Sequence, residues 1–292
     1  MKNKKNILIF SVKILATILL FFYINKTINF SEFPQINGGI MPIFFIAVIF
    51  GFIQQFFLFL RWKFSVEAAG ICADKKSLWK SYFIGQFLGT ISPARSGDIA
   101  KIFYLNAPKK QGVLALILDG TAAILTLFIV GLWKNYPETA EKSVLIIDKI
   151  ITIAGISAAV ICAIIFVFIA VKRLQNIGHY APKLFSVALF QHIALTIQGA
   201  VIFSILLPIS FLEASFAVAT AYCVMPLIPF AIAAIGVREF SLSLFISAFV
   251  EGPSVKPVVF AVSYILLLCN SVIFMLPGIY LFYKGKTHFN GK

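Results

Sequence analysis

Apolar residues fall along the chain in long runs divided by short polar links. This is neither the alternation of strands nor the one-sided stripe of water-soluble helices. Runs with only scattered polar residues cover 7–24, 40–60, 112–133, 144–171, 184–207 and 258–282. Each approaches or exceeds the roughly 20 residues that a helix needs to cross a bilayer. Two further apolar stretches, 81–105 and 214–250, are broken in the middle. The pattern predicts an all-α polytopic membrane protein with six full spans plus two broken, re-entrant helical segments. No stretch is long and polar enough for a soluble domain, so 1–292 reads as a single integral membrane domain. The longest non-apolar stretch, 61–80, reads as a loop. The first run follows Lys2, Lys4 and Lys5, as in a signal peptide. It is long, however, and Asn25, Lys26 and Thr27 make no small-residue cleavage site, so an uncleaved first span is expected.

The breaks are the informative part. The first carries Pro93, Arg95, Gly97 and Asp98, with Lys101 shortly after. The second carries Pro226, Pro229, Gly236, Arg238 and Glu239. A charge at bilayer depth costs on the order of 2.5–3.5 kcal/mol on insertion scales. A broken, charged helix survives there only when buried in protein or lining a wet cavity. Glycine permits close backbone approach, proline frees carbonyls, and the N-termini of half-helices present N–H groups that favour anions. Two arginines beside such termini suit a phosphate, because the guanidinium forks onto two phosphate oxygens. The plainer reading is that Arg95 with Asp98, and Arg238 with Glu239, only neutralise each other and pin the broken segments. The two readings are compatible if the pairs open during a cycle.

Composition then fixes the setting. Hydrophobic residues make up 60% and charged residues 12%, about half the charged share of soluble proteins. The net charge of +14 would raise the question of nucleic acid in a soluble protein; here it is topological, and no nucleic-acid partner is expected. With the N-terminus inside and both broken stretches returning to the side they left, seventeen basic residues fall inside and five outside. A full crossing by 81–105 would move Lys101, Lys109 and Lys110 outside and degrade that bias. The stretch 214–250 fits equally a re-entrant segment or two short spans of about 26 Å each, with sidedness unchanged. Both termini are therefore expected in the cytoplasm. The halves 7–133 and 144–282 repeat the order span, span, break, span with opposite orientation. Matching breaks in inverted halves point to a transporter-type site at the membrane midplane.

Other polar residues lie inside the runs. Asp119 is expected to pair with Arg95 or Arg238, or to exchange a proton. His192, with Gln191 and Gln198, reads first as an interhelical hydrogen-bonding group and second as a proton relay or ligand. Gln54, Gln55 and Gln86 read the same way. Cys72, Cys162, Cys223 and Cys269 have no metal or redox spacing and read as small packing residues. Neither a Gly-rich phosphate loop, a nucleophile elbow nor a metal-ligand spacing occurs, so the chain is not expected to be an enzyme or to carry a cofactor or metal.

At the two breaks the chain resembles the lysylphosphatidylglycerol synthase transmembrane-region family, a flippase-like integral membrane family. The first resemblance is Phe83, Gly85, Gln86 and Phe87, then Pro93, Ala94, Arg95, Gly97, Asp98 and Lys101. The second is Pro229, then Ala233, Ala234, Gly236, Arg238 and Glu239. The chain departs from the family pattern at Gly120, where an Arg follows the Asp, and at Ala233 and Ala234, where glycines stand. The resemblance implies a polytopic fold with two re-entrant segments that moves a lipid between leaflets. In the larger synthases that lipid is an aminoacylated phospholipid, made by a separate soluble domain. Ten residues follow the last span here, so a stand-alone member without the synthase catalytic domain is expected. The expected function is translocation or binding of an anionic phospholipid or polyprenyl-phosphate lipid, in the plasma (inner) membrane. Arg95, Gly97, Asp98, Asp119, Gly236, Arg238 and Glu239 would form the lipid site, with Gln86, Lys101 and His192 as secondary candidates. The alternative is a non-catalytic accessory or scaffold subunit of a lipid-modifying or glycosyltransferase system, with a membrane enzyme as partner. A third reading is a proton-coupled solute transporter using Asp119 and His192.

Overall fold

The computed structural model describes residues 41–92, 95–132, 174–227 and 235–289, with isolated positions between 146 and 164. The span expected at 7–24 lies outside the described residues; of the one at 144–171, eleven of 28 positions are described, all of them helical. Among the described residues every regular element is a helix. In order they are α1 (Met41–Ala68), α2 (Lys75–Ile91), a 3-10 turn (Ser96–Ile99) leading into a single helical turn α3 (Ala100–Phe103), α4 (Lys109–Leu132) and α5 (Leu174–Leu206). There follow α6 (Phe211–Val224), a 3-10 turn (Met225–Leu227), α7 (Val237–Ile246), α8 (Val255–Leu267), a π-helical turn (Leu268–Val272) and α9 (Ile273–Phe289).

Among the described residues, four helical stretches are long and apolar enough to cross a membrane: Met41–Ala68, Lys109–Gly131, Ile177–Leu206 and Val255–Lys284. The limbs α6 and α7 have 14 and 10 residues. At about 1.5 Å per residue they reach roughly 21 and 15 Å, short of the roughly 30 Å hydrocarbon core.

The faces of α1 show how the bundle is organised. Met41, Phe45, Ile49, Phe52 and Phe56 recur at helical spacing and are each more than half exposed. The opposite face buries Ile43, Ala47, Gln54, Gln55, Arg61 and Ser65. Large apolar side chains outside and polar ones inside reverse the order of a water-soluble helix. The arrangement suits lipid, where polar groups must find partners within the protein. α1 packs along α5, and α9 packs against α2. The main core forms where α5, α6, α7 and α8 meet, around Phe203, Ala217, Leu242, Phe245 and Val259.

Two expected loops are helical. α1 continues eight residues past position 60 to Ala68, and Trp62 is fully buried. α5 begins at Leu174 and runs through Pro182, so the basic link expected before 184 is helix from Leu174 onward. Arg61 and Lys101, both counted among the expected inside residues, are buried in protein, which leaves the expected bias at fifteen basic residues against five.

Local capping starts the helices that flank the breaks. Ser210 and Glu213 form a capping box, with Ser210 N donating to Glu213 Oε2 at 3.0 Å and Glu213 N donating to Ser210 Oγ at 3.3 Å. Asp74 caps α2, accepting from Ser77 N at 3.1 Å. Hydrogen bonding from Ser77 holds the Asp74 carboxyl below its ordinary value of 3.8. A depressed folded-state value means that the cap is fully effective above the unfolded value and is lost as pH falls through the folded one. Hydrogen-exchange protection of the first turn of α2 is expected to drop below about pH 3.8 in the wild type. It should stay low and flat across pH in Asp74→Ala; equal profiles would remove the cap from the account.

Candidate functional site

The first break is a tight helical hairpin. α2 ends at Ile91, Ser92 is extended, and by Arg95 the chain has reversed. Arg95 has φ 53°, a left-handed conformation unusual for a residue with a side chain. The returning limb lies directly on α2. A Cβ on Gly97 would stand 2.1 Å from the Leu88 carbonyl oxygen, and one on Gly89 2.7 Å from Asp98 Oδ1. Glycine at these positions lets the two backbones touch. Further along, Ser81 Oγ donates to the Lys101 carbonyl at 2.8 Å, which fixes how far back the limb runs.

That hairpin carries one end of a buried ionic chain. Arg95 Nε contacts Asp98 Oδ2 at 2.9 Å, and its Nη2 donates to Gln86 Oε1 at 2.9 Å. Lys101 Nζ stands between two carboxylates, 3.5 Å from Asp98 and 3.6 Å from Asp119. It also lies 4.9 Å from the Trp62 ring centroid. Arg61 Nε contacts Asp119 Oδ1 at 2.7 Å, and Arg61 Nη1 donates to Gln191 Oε1. Three cations and two carboxylates from α1, the first hairpin and α4 thus form a continuous network. The expected partner of Asp119 was Arg95 or Arg238; the structure gives it Arg61 and Lys101 instead. The physical reason is the extension of α1, which carries Arg61 into the bundle opposite α4.

The second break closes on itself in the same style. Gly236 has φ 86° at the start of α7. The Glu239 carboxylate accepts from Gly236 N at 2.5 Å, Arg238 Nη2 at 3.1 Å and Ser263 Oγ at 2.6 Å. Arg238 Nε donates to Ser263 Oγ at 2.6 Å. Backbone N–H groups that the sequence offers to an anion are therefore in use: Gly236 N by Glu239, and Gly97 N by Ser92 Oγ at 2.6 Å.

Both breaks open onto one cavity of about 530 Å³. Arg95 and Ser92 line it from the first break, and Arg238, Met225 and Pro226 from the second. Arg61, Gln191, His192, Gln54 and Gln55 complete its polar wall, while Ile124, Leu127, Leu195 and Leu266 supply apolar surface. Asp98, Asp119 and Glu239 stand behind the arginines. Lys101 is buried behind them too, and Gly97 and Gly236 set the backbone turns. Gln86 orients Arg95. His192 Nε2 bonds the Ala123 carbonyl at 3.0 Å, and its ring forms part of the wall. Pro93, Ala94, Pro229, Ala233 and Ala234 lie outside the described residues.

The sequence reading missed Arg61, Ser263 and Asn270. Asn270 joins three helices: Gln55 Nε2 donates to its carbonyl at 2.5 Å and its Nδ2 donates to Gln198 Oε1 at 2.8 Å. A signal existed for Arg61. Positions 54, 55, 58, 61, 62 and 65 form one helical stripe with the glutamines already in view.

A family model described as the lysylphosphatidylglycerol synthase TM region matches residues 8–273. No curated protein and no solved structure matches the chain.

Proposed function

Because the chain belongs to the lysylphosphatidylglycerol synthase TM region family, we propose that it binds the phosphate of an anionic phospholipid or polyprenyl-phosphate lipid and carries that lipid between leaflets. The observation that carries this reading is the shared cavity, into which each break delivers one arginine. Arg95 makes the first contact, since half of its side-chain surface is exposed, against 7% for Arg238. When Arg95 turns from Asp98 to a phosphate, Lys101 stays beside Asp98, so no carboxylate is left alone in a medium of low dielectric. Arg238 and Arg61 then receive the headgroup deeper in the cavity, while the acyl chains remain along the apolar walls. Six spans, inverted halves, two re-entrant hairpins, cytoplasmic termini and a plasma-membrane location belong to the same proposal. The short α6 and α7 limbs support its re-entrant part.

Reconstitution in liposomes tests it. Wild-type protein should move a tail-labelled lipid across the bilayer faster than protein-free liposomes do. Arg95→Ala and Arg238→Ala should each slow the initial rate about tenfold or more, the scale of a lost charge-assisted hydrogen bond. A wild type no faster than empty liposomes, across several headgroups, would leave the non-transporting scaffold in its place.

A further inference from the structure

We propose that the cavity selects by the charge a headgroup carries beyond its phosphate: it takes phosphate lipids without an ammonium group and turns away aminoacylated and other amine-bearing ones. This rests on the lipid reading above and narrows it.

Three arginines, Arg61, Arg95 and Arg238, line the cavity, and no Asp or Glu lines it among the described residues. The three carboxylates nearby are withdrawn and saturated. Asp98 is held by Arg95 and Lys101, Asp119 by Arg61 and Lys101, and Glu239 by Arg238, Ser263 and the Gly236 amide. Counting Arg61, Arg95, Lys101 and Arg238 against Asp98, Asp119 and Glu239 leaves one positive charge in excess. A phosphodiester neutralises that excess. A headgroup that also carries ammonium groups restores it and sets like charges close together where solvent screening is weak.

Neutral acceptors at the wall are few: Gln54 Oε1 and His192 Nδ1 are buried there without a hydrogen-bond partner. An ammonium needs several acceptors or an aromatic cage once it leaves water. Gln191 Oε1 is taken by Arg61, and the Gln55 and Asn270 side chains serve the joint between α1, α5 and the π-helical turn. Tyr222 supplies one aromatic ring to the wall, and one ring is not a cage. The wall therefore repels the amine by its excess of positive charge, and two scattered acceptors do not make up the difference. Gln191 is the position that sets this balance, because a carboxylate there would be isosteric and would face the cavity.

The test titrates tail-labelled lipids into the purified full chain in detergent. The probes share one phosphodiester: phosphatidylglycerol, phosphatidylethanolamine and the lysine ester of phosphatidylglycerol. Wild type should bind phosphatidylglycerol about tenfold or more tightly than the lysine ester, with phosphatidylethanolamine between. Gln191→Glu should narrow that ratio by strengthening the lysine ester relative to phosphatidylglycerol. Equal or tighter binding of the lysine ester by wild type overturns the proposal and leaves lipid binding standing. A ratio that Gln191→Glu does not move overturns the assignment to wall charge. Failure of all three lipids to bind removes the lipid reading and this inference with it. The wild-type comparison decides even if the variant does not fold.

Discussion

Asp119→Ala is expected to destabilise the protein by about 3–5 kcal/mol, the scale of removing one partner from a buried ionic cluster. The substitution deletes the carboxylate that lies 2.7 Å from Arg61 and 3.6 Å from Lys101. Arg61 keeps Gln191, which is neutral, and Lys101 keeps only Asp98, which Arg95 already shares. Two cations then stand buried with one carboxylate's worth of compensation lost. Arg61→Leu combined with Asp119→Leu removes charges of both signs and should recover much of the loss, since apolar replacement of a whole buried pair is often near neutral. Thermal unfolding in detergent reads both. An Asp119→Ala protein as stable as wild type would mean that α1 and α4 do not meet through this pair.

Gly97→Ala is the second change with a large expected effect, and it acts through shape alone. The new methyl would stand 2.1 Å from the Leu88 carbonyl oxygen and 2.9 Å from the Gly89 nitrogen. Both neighbours are backbone inside α2, so the returning limb must lift off. Overpacking of this kind costs about 1–3 kcal/mol and sometimes more. The consequence for the site exceeds the stability cost, because Arg95, Asp98 and Lys101 all ride on that limb. Lipid transfer in liposomes should fall to within about twofold of protein-free liposomes, while the thermal midpoint drops by only a part of the Asp119→Ala shift. Undiminished transfer would show that the contact between the limbs is not needed to present Arg95.

The breaks were legible because they violate the rules of their surroundings. Proline, glycine and charge inside an apolar run leave few structural options, and both runs do break there. The helical class and the location of both arginines on one cavity follow from the same signal. Pairing was not legible. Arg61 and Lys63 stand two residues apart, about 200° around a helix, and share a chemistry, yet their fates differ. Lys63 is partly exposed and reaches Glu67 at 3.8 Å, while Arg61 is buried against Asp119, 58 positions on. A hydropathy window ends the helix at the first basic cluster because it weighs residues without regard to direction. The stripe of Gln54, Gln55, Leu58, Arg61, Trp62 and Ser65 carries the missing direction, but its meaning depends on a partner that local pattern does not identify. Ser263 escaped for a related reason: a lone serine in an apolar span is common, and what distinguishes this one is contact with both Arg238 and Glu239.

The π-helical turn at Leu268–Val272 divides the last span into two registers. A widened turn holds one residue more than an α-helical one, which rotates everything beyond it by about 100°. Before the turn, Ser263 reaches the second break. After it, Gly278 lies so close to the Phe83 carbonyl of α2 that an added Cβ would come within 2.1 Å. This last helical stretch thus touches both breaks, with its π-helical turn between the two contacts. A rotation of α8 is therefore either taken up at that turn or delivered to α2, so the turn sets how far the two breaks are coupled through this helix.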